Sequence, residues 1–344
     1  MKKHKRKETK VKKTLFISLI IIGILIAILC LGFGTPKAEK SAVPIPPSLV
    51  SLPTIKAKPL LQVEPSGAFL EGPAFDLDSN LYVSSLFDSR ILKISPDEEV
   101  TTIFSEPGLL PDGIAIHQDG RLFVVCLSGR IVVLDSDGNY LSDITAKYNG
   151  KPTSANDLVF DADGNLYVTD FTGNASDPSG GVYHFSASDN YQTVTPVFEN
   201  MASANGVALA PEGSVLWVSE TSRMQLHRLE LLEDGVTVNP IAGAGIPYRF
   251  TGGPGGCDSL AVDVHGNVYQ ALIFQGRLLI LNKAGIPIAN VVIPGRDEGK
   301  LLRTTNVAFK PGTDEVYITV SDDNEAWIYK FRGLAEGVTL FSHQ

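Results

Sequence analysis

The chain has 344 residues, of which 44% are apolar, enough to bury a large core in one or two domains. Its formal charge is −9, but residues 1–13 hold eight Lys or Arg against one Glu, so the remainder carries about −16. An acidic body argues against nucleic acid as a partner.

An uncharged apolar run follows the basic residues. As a helix, TLFISLIIIGILIAILCLGFG at residues 14–34 would span about 31 Å, the thickness of a bilayer core. A cleaved signal peptide is the alternative, but this run exceeds the usual apolar length of about 7–15 residues and no small-x-small site follows. Leu29 also disfavours a lipoprotein site at Cys30. We therefore expect a single-pass anchor in the cell membrane, with residues 1–13 cytoplasmic and the rest outside the cytoplasm.

A proline-rich stretch separates this segment from the rest. Residues 35–59 predict a linker without a packed core, so we expect the folded domain to cover residues 60–344. Outside the apolar run the only cysteines are Cys126 and Cys257. One disulfide is too little to form a scaffold, so the core must hold the fold.

Six related units fill the predicted domain. Each has an apolar strand, a polar turn and a second strand, and successive units are 41, 44, 49, 53 and 47 residues apart. The units are GPAFDLDSNLYVSS from Gly72, GIAIHQDGRLFVVC from Gly113, DLVFDADGNLYVTD from Asp157, GVALAPEGSVLWVSE from Gly206, SLAVDVHGNVYQAL from Ser259 and NVAFKPGTDEVYITV from Asn306. A further strand pair follows each unit. This period indicates an all-β, six-bladed β-propeller, because one blade cannot bury both of its faces alone. We expect LLQVE at residues 60–64 and GVTLFSHQ at residues 337–344 to pair in the blade that closes the ring.

The turn FDADGN resembles the start of a helix-loop-helix calcium loop. Such a loop needs Gly at its sixth place and Glu at its twelfth, whereas Gly164 comes fourth and Thr172 twelfth. The flanking LVF and LYV favour strands. Asp161 and Asp163 are therefore predicted to form a hairpin turn.

A column of oxygen-bearing residues stands just ahead of each first strand. In a propeller these positions share one height and radius, so their side chains should converge on the central channel. The column consists of Glu71, Asp112, Asn156, Asn205, Asp258 and Thr305. Oxygen ligands without nitrogen or sulfur suit Ca²⁺ or Mg²⁺ and disfavour zinc and copper. The alternative is that these side chains cap strand ends.

Four motifs around this column resemble the metal-binding motifs of the senescence marker protein/gluconolactonase family of six-bladed propellers. They are LEGPAF, SANDLVFD, SANGVAL and GGCDSLAVD. Longer passages such as GGVYHF, LWVSET and IPGRDEGKLLRTTN are similar, more narrowly, to the drug-responsive lactonases of that family, and the likeness covers most of residues 60–335.

The resemblance implies a calcium-dependent hydrolase that opens lactone rings. One catalytic Ca²⁺ would be held by Glu71, Asn156, Asn205 and Asp258, with Ser259 as a further oxygen. Asp258 would also act as the acid/base, and Asp157 would orient a ligand or water. The chain departs from the drug-responsive lactonases at Asn156, where they carry Asp, and its blade-2 residues do not match their second calcium site.

Three further residues are candidates for contact with the substrate. Arg303 could meet an anionic group of the substrate, and Tyr248 and Phe250 could line the pocket, with surface exposure or core packing as their alternatives. No histidine lies in the column, which disfavours a Ser-His-Asp site. Two alternative functions stay open, namely a phosphotriesterase-type hydrolase on the same scaffold and a non-catalytic propeller that binds a partner.

Overall fold

The computed structural model describes residues 41–64, 68–241, 243–253 and 255–344. These residues form six sheets of four antiparallel strands, named blades I to VI, and the sheet of blade V gains a fifth strand. Listed from the axis outwards, the strands are Leu70–Phe75, Leu81–Ser85, Arg90–Ile94 and Val100–Ser105 in blade I; Pro111–Ile116, Leu122–Cys126, Arg130–Leu134 and Tyr140–Thr145 in blade II; Ala155–Phe160, Leu166–Asp170, Gly180–Phe185 and Val194–Met201 in blade III; Ala204–Leu209, Val215–Glu220, Gln225–Glu230 and Ala244–Arg249 in blade IV; Cys257–Val262, Val268–Leu272, Arg277–Leu281 and Pro287–Val292 in blade V; and Arg303–Phe309, Glu315–Ser321, Ala326–Arg332 and Lys58–Glu64 in blade VI.

Shorter elements complete the described chain. A strand at Thr54–Lys56 extends blade V, and a small hairpin pairs Lys147–Tyr148 with Lys151–Pro152. Single 3₁₀ turns lie at Ala187–Asp189, Thr221–Arg223, Arg296–Glu298 and Phe341–His343.

The blades close into a ring. Each innermost strand contacts the innermost strands of both neighbouring blades, and that of blade VI contacts that of blade I. In the described part of the chain, six apolar clusters lie one between each pair of adjacent blades. Strands such as LFVVC and RLLIL are buried along their whole length because each blade covers apolar surface on both of its faces. The predicted six-bladed propeller is confirmed.

Blade VI joins the two ends of the domain. Its outer strand, Lys58–Glu64, pairs antiparallel with Ala326–Arg332, so LLQVE does enter the closing blade. The expectation that residues 337–344 are its partner is wrong. These residues instead cross the channel, where Phe341 packs against His117 and Phe160.

The hairpin turns behave as predicted. Asp161 Oδ1 accepts the backbone N–H groups of Asp163 and Asn165 at 2.9 and 2.8 Å, and strands flank the turn on both sides. FDADGN is therefore a turn and not a calcium loop. Cys126 and Cys257, in blades II and V, are buried free thiols.

The prediction of a coreless linker over residues 35–59 needs correction from residue 41 onwards. Val43, Leu49 and Ala57 are buried, and the Nδ2 group of Asn290 donates to the carbonyl of Leu49 at 2.9 Å. Thr54–Lys56 pairs in parallel with the outer strand of blade V. Proline suits such an edge segment because it adopts an extended conformation and has no backbone N–H group that would need a partner. The apolar residues between the prolines supply the packing.

The expected fold class also included a transmembrane helix, and this part is corrected. Residues 14–34 lie outside the described residues, and within the described ranges no helix is long and apolar enough to cross a bilayer. The fold class of the described residues is the six-bladed propeller. No described helix supports the predicted single-pass location or the membrane as a partner.

Candidate functional site

The column stands at one end of the ring, near the start of every innermost strand. The register between the first and second strands shifts at or next to the column residue in all six blades. Such a bulge places an extra residue on one strand and re-aims its side chains. All six column residues are buried, at 6% exposure or less: Glu71, Asp112, Asn156, Asn205, Asp258 and Thr305.

The next residue of each innermost strand forms a second tier. This tier consists of Gly72, Gly113, Asp157, Gly206, Ser259 and Asn306. A Cβ on Gly113 would lie 2.7 Å from Asp157 Oδ1, and a Cβ on Gly206 would lie 2.6 Å from Ser259 Cα. The strands approach so closely here that side chains fit in only three of the six blades.

Four buried carboxylates share this small volume. Burial raises the pKa of Glu71 and Asp112 well above the usual range, and the negative charge of Asp258 raises both further. Burial likewise raises the pKa values of Asp157 and Asp258 to about 7. The cluster therefore needs protons or a cation to offset its charge.

Asn156 is held by its amide nitrogen. Its Nδ2 group donates to Asp112 Oδ2 at 2.8 Å, whereas its buried Oδ1 accepts no hydrogen bond from any described residue. A buried acceptor without a partner is costly. This oxygen is free to bind an ion.

Asn205, Asp258 and Ser259 form the opposite side of the site. The hydroxyl of Ser259 donates to Asn205 Oδ1 at 3.3 Å and also contacts Asp157, while Asn205 hydrogen-bonds the carboxylate of Asp258. Asp157 accepts the N–H groups of Leu158 at 2.9 Å and of Val207 at 3.3 Å in the next blade. Asp157 thus contacts Ser259, and its role in orienting a ligand or water stays a prediction.

In blade VI the residue that reaches the site is not the column residue but the one after it. The hydroxyl of Thr305 donates to the carbonyl of Leu70 at 2.6 Å, so this column residue caps a strand. Asn306, one place later, donates from Nδ2 to Glu71 Oε2 at 3.2 Å. Asn306 is not among the residues predicted for the site, although its alignment with Asp157 and Ser259 in the repeat could have revealed it.

Hydroxyl groups from the second strands tie neighbouring blades together beneath the column. Ser219 accepts the N–H of Gly206 at 2.8 Å and donates to the carbonyl of Asp258 at 2.7 Å. The hydroxyl of Thr169 likewise accepts the N–H of Asp157 at 3.0 Å and donates to the carbonyl of Asn205 at 2.5 Å. These bridges set the positions of two predicted ligands.

The three candidate substrate residues do not gather at the site. Phe250 is buried in the apolar cluster between blades IV and V, and Tyr248 packs against that cluster from the outermost strand of blade IV. Arg303 begins the innermost strand of blade VI, at the column's end of the ring, where it pairs with Asp323 and lies 6.0 Å from the ring of Phe69. Only Arg303 stays a candidate for substrate contact.

The donor set fits a hard divalent cation. In the described part of the chain no three His, Cys, Asp or Glu side chains form a ready-made metal cluster. The predicted set does not require one, because it combines two carboxylates with two carboxamides and a hydroxyl. The unpartnered Asn156 Oδ1 and the mutual repulsion of the buried carboxylates favour a bound cation, and the all-oxygen donor set favours Ca²⁺ or Mg²⁺ over a softer metal.

The channel continues on the other side of the column. It widens into a cavity of about 440 Å³, with Asp157 and Asn306 at one end and residues 337–344 at the other. The C-terminal residues thus close the mouth opposite the column.

Comparison with known proteins supports this description. The family profile described as SMP-30/Gluconolactonase/LRE-like region matches residues 69–322. The chain belongs to this family. Lactonase drp35 of Staphylococcus saprophyticus subsp. saprophyticus is 43% identical over 308 residues, which cover 87% of this chain and 94% of that protein.

Two further similarities agree with the family. Lactonase drp35 of Staphylococcus aureus is 42% identical over 315 residues, covering 89% of this chain and 95% of that protein. The solved structure of regucalcin from Agrobacterium tumefaciens, described as a calcium-binding protein, has a TM-score of 0.66 and 18% identity over 83% of this chain and 98% of that one. At this identity the structural match shows the fold alone, whereas the profile and the two relatives confirm the family resemblance.

Proposed function

We propose that this member of the family is a lactonase that uses one Ca²⁺ ion held at the column. Glu71, Asn156, Asn205, Asp258 and Ser259 would hold the ion. The observation that carries the proposal is the buried set of two carboxylates and two carboxamides, with Asn156 Oδ1 unpartnered in the described structure. The similarity to curated lactonases supports the choice of substrate class.

When bound, the cation would polarise the lactone carbonyl and stabilise the negative charge that develops on its oxygen. Glu71 and Asp258 would neutralise the ion, while Asn156 and Asn205 add oxygens without adding charge. Asn306 would keep the carboxylate of Glu71 in place through its Nδ2 hydrogen bond.

Asp258 would move the proton in the reaction. Its carboxylate accepts a proton from the attacking water and returns it to the ring oxygen when the ring opens. Its backbone carbonyl accepts hydrogen bonds from Ser219 and from Gln270 Nε2, the latter at 2.6 Å. These bonds fix the backbone that carries the carboxylate. Asp157 would hold the hydroxyl of Ser259 and, through it, Asn205.

The test measures calcium binding and hydrolysis on the full-length chain. Substrates are δ-valerolactone, glucono-δ-lactone and the phosphotriester paraoxon, with and without a chelator. We expect lactone hydrolysis that is lost in chelator and restored by Ca²⁺, and we expect Glu71→Gln and Asp258→Asn to lose it. Asp163→Asn, in the exposed hairpin turn, is the matched control and should behave as wild type.

Other outcomes would select the alternatives. Full activity in chelator would contradict a metal mechanism. Calcium binding without hydrolysis of any substrate would favour a non-catalytic propeller, and hydrolysis of the phosphotriester alone would favour the phosphotriesterase alternative.

A further inference from the structure

Asp112 is a column residue that the proposed ligand set leaves unused. It lies on blade II, between Glu71 on blade I and Asn156 on blade III. Its side chain is 3% exposed, and its carboxylate accepts the Nδ2 group of Asn156 at 2.8 Å. Burying a carboxylate costs free energy, which indicates that Asp112 has a function at this position.

The contact between Asp112 and Asn156 decides which way the amide faces. A carboxamide carries an acceptor oxygen and a donor NH₂ group that exchange places when the side chain turns over. In the structure Asn156 presents Nδ2 to Asp112, whose Oδ2 atom accepts this hydrogen bond at 2.8 Å. Its Oδ1 then faces away, and that oxygen is the atom without a partner among the described residues.

We propose that Asp112 is a positioning residue for the metal site, because it fixes the amide of Asn156 so that Oδ1 is presented to the divalent cation. The inference rests on the proposed metal site. Without Asp112, the amide of Asn156 turns freely, and in half of its orientations it offers the cation a donor. Groups that orient a metal ligand in this way typically account for a factor of about 10–100 in metal affinity.

The experiment compares Asp112→Ala with Asp112→Asn in the full-length chain. Calcium affinity is measured by calorimetry, and Tb³⁺ luminescence lifetimes in H₂O and D₂O count the waters on the bound ion. Asn at position 112 keeps an acceptor oxygen for Asn156 Nδ2 but has no charge. We expect affinity within about 3-fold of wild type for Asp112→Asn, a loss of about 10–100-fold for Asp112→Ala, and about one extra bound water in Asp112→Ala alone.

Each other result overturns the inference. Equal losses in both variants would show that the charge of Asp112 matters, as for a direct ligand. Wild-type affinity in Asp112→Ala would show a purely structural role. Unfolding of each metal-free variant in urea identifies failure to fold. If Asp112→Ala does not fold, a loss of more than about 3-fold in the near-isosteric Asp112→Asn overturns the inference, and affinity within about 3-fold with an unchanged number of bound waters agrees with it.

Glu71→Gln separates this inference from the proposed function. If Glu71→Gln binds calcium as tightly as wild type, or if wild type binds none, the metal site itself is wrong. If Glu71→Gln loses binding while Asp112→Ala keeps it, only the role of Asp112 is wrong.

Discussion

The hydroxyl of Ser219 in blade IV lies 2.7 Å from the backbone carbonyl oxygen of Asp258 in blade V. The same hydroxyl accepts the N–H group of Gly206, where the bulge of blade IV leaves that group without a ladder partner. One side chain therefore stabilises an irregular strand and holds the backbone of the proposed acid/base.

Ser219→Ala should leave the N–H group of Gly206 unpaired, remove one of the two hydrogen bonds to the carbonyl of Asp258, and lower the free energy of unfolding by about 1–3 kcal/mol. It should also weaken calcium binding, because the backbone carbonyl of Asp258 is then held by Gln270 alone. Ser84 in blade I is the matched control, since its buried hydroxyl has no partner among the described residues. Urea unfolding and calcium calorimetry on both variants check this, and an equal loss in Ser84→Ala would contradict it.

Gly206→Ala should destabilise the chain by about 1–3 kcal/mol, because the added methyl overpacks a site that can relax little. The Cβ would lie 2.6 Å from Ser259 Cα and 2.8 Å from the backbone nitrogen of Leu260. Movement of Ser259 should lower calcium affinity as well. At Gly245, on the outermost strand of blade IV, the nearest atom to a new Cβ is 3.9 Å away, so Gly245→Ala should be nearly neutral. Similar melting temperatures for the two variants would refute the predicted clash.

Phe341→Ala should lower the free energy of unfolding by up to about 3 kcal/mol, because a buried aromatic ring is lost. Phe341 is 9% exposed and packs against His117 and Phe160. The loss cannot exceed the free energy with which residues 337–344 pack in the channel, because a larger loss would detach these residues and leave the propeller folded. Leu340→Ala, at a side chain that is 42% exposed, is the control. Calcium affinity should be unchanged in both variants because the column lies at the other end of the channel, so altered affinity in Phe341→Ala would count against this separation.

Glu220 should make stability sensitive to acid. Burial by itself would raise its pKa, but hydrogen bonds from His227, the N–H of Ala202 and Gln225 hold the pKa of this carboxyl below its usual value. The folded chain therefore binds fewer protons here than the unfolded chain, and the stabilisation disappears as the pH falls through the folded pKa.

We expect Glu220→Gln to be less stable than wild type at neutral pH and to show a smaller loss of stability between about pH 5 and pH 3. Urea unfolding across this range measures the slope. The exposed Glu212→Gln is the control and should keep the wild-type slope. An unchanged slope in Glu220→Gln would refute the assignment.

The repeat revealed the propeller and the column because equivalent positions of a ring occupy equivalent places in space. It could not show that Thr305 turns its hydroxyl to Leu70 while Asn306 reaches Glu71, since that depends on where one bulge lies. Nor could composition show that the proline-rich residues 41–57 pack on blade V, because a few buried apolar side chains decide it. The sequence also left open whether Tyr248 and Phe250 line the pocket or pack in the core, since an aromatic residue near a glycine-rich loop can do either; the structure packs both against an apolar cluster.

Blade VI has a consequence for the order of folding during synthesis. Its outer strand, Lys58–Glu64, leaves the ribosome long before the neighbouring strand Ala326–Arg332 is made. Until then Lys58–Glu64 is an open edge, able to pair with the wrong strand or with another nascent chain. A premature stop before residue 326 would leave that edge permanently exposed, so truncated products should aggregate or be degraded and should not accumulate as smaller propellers.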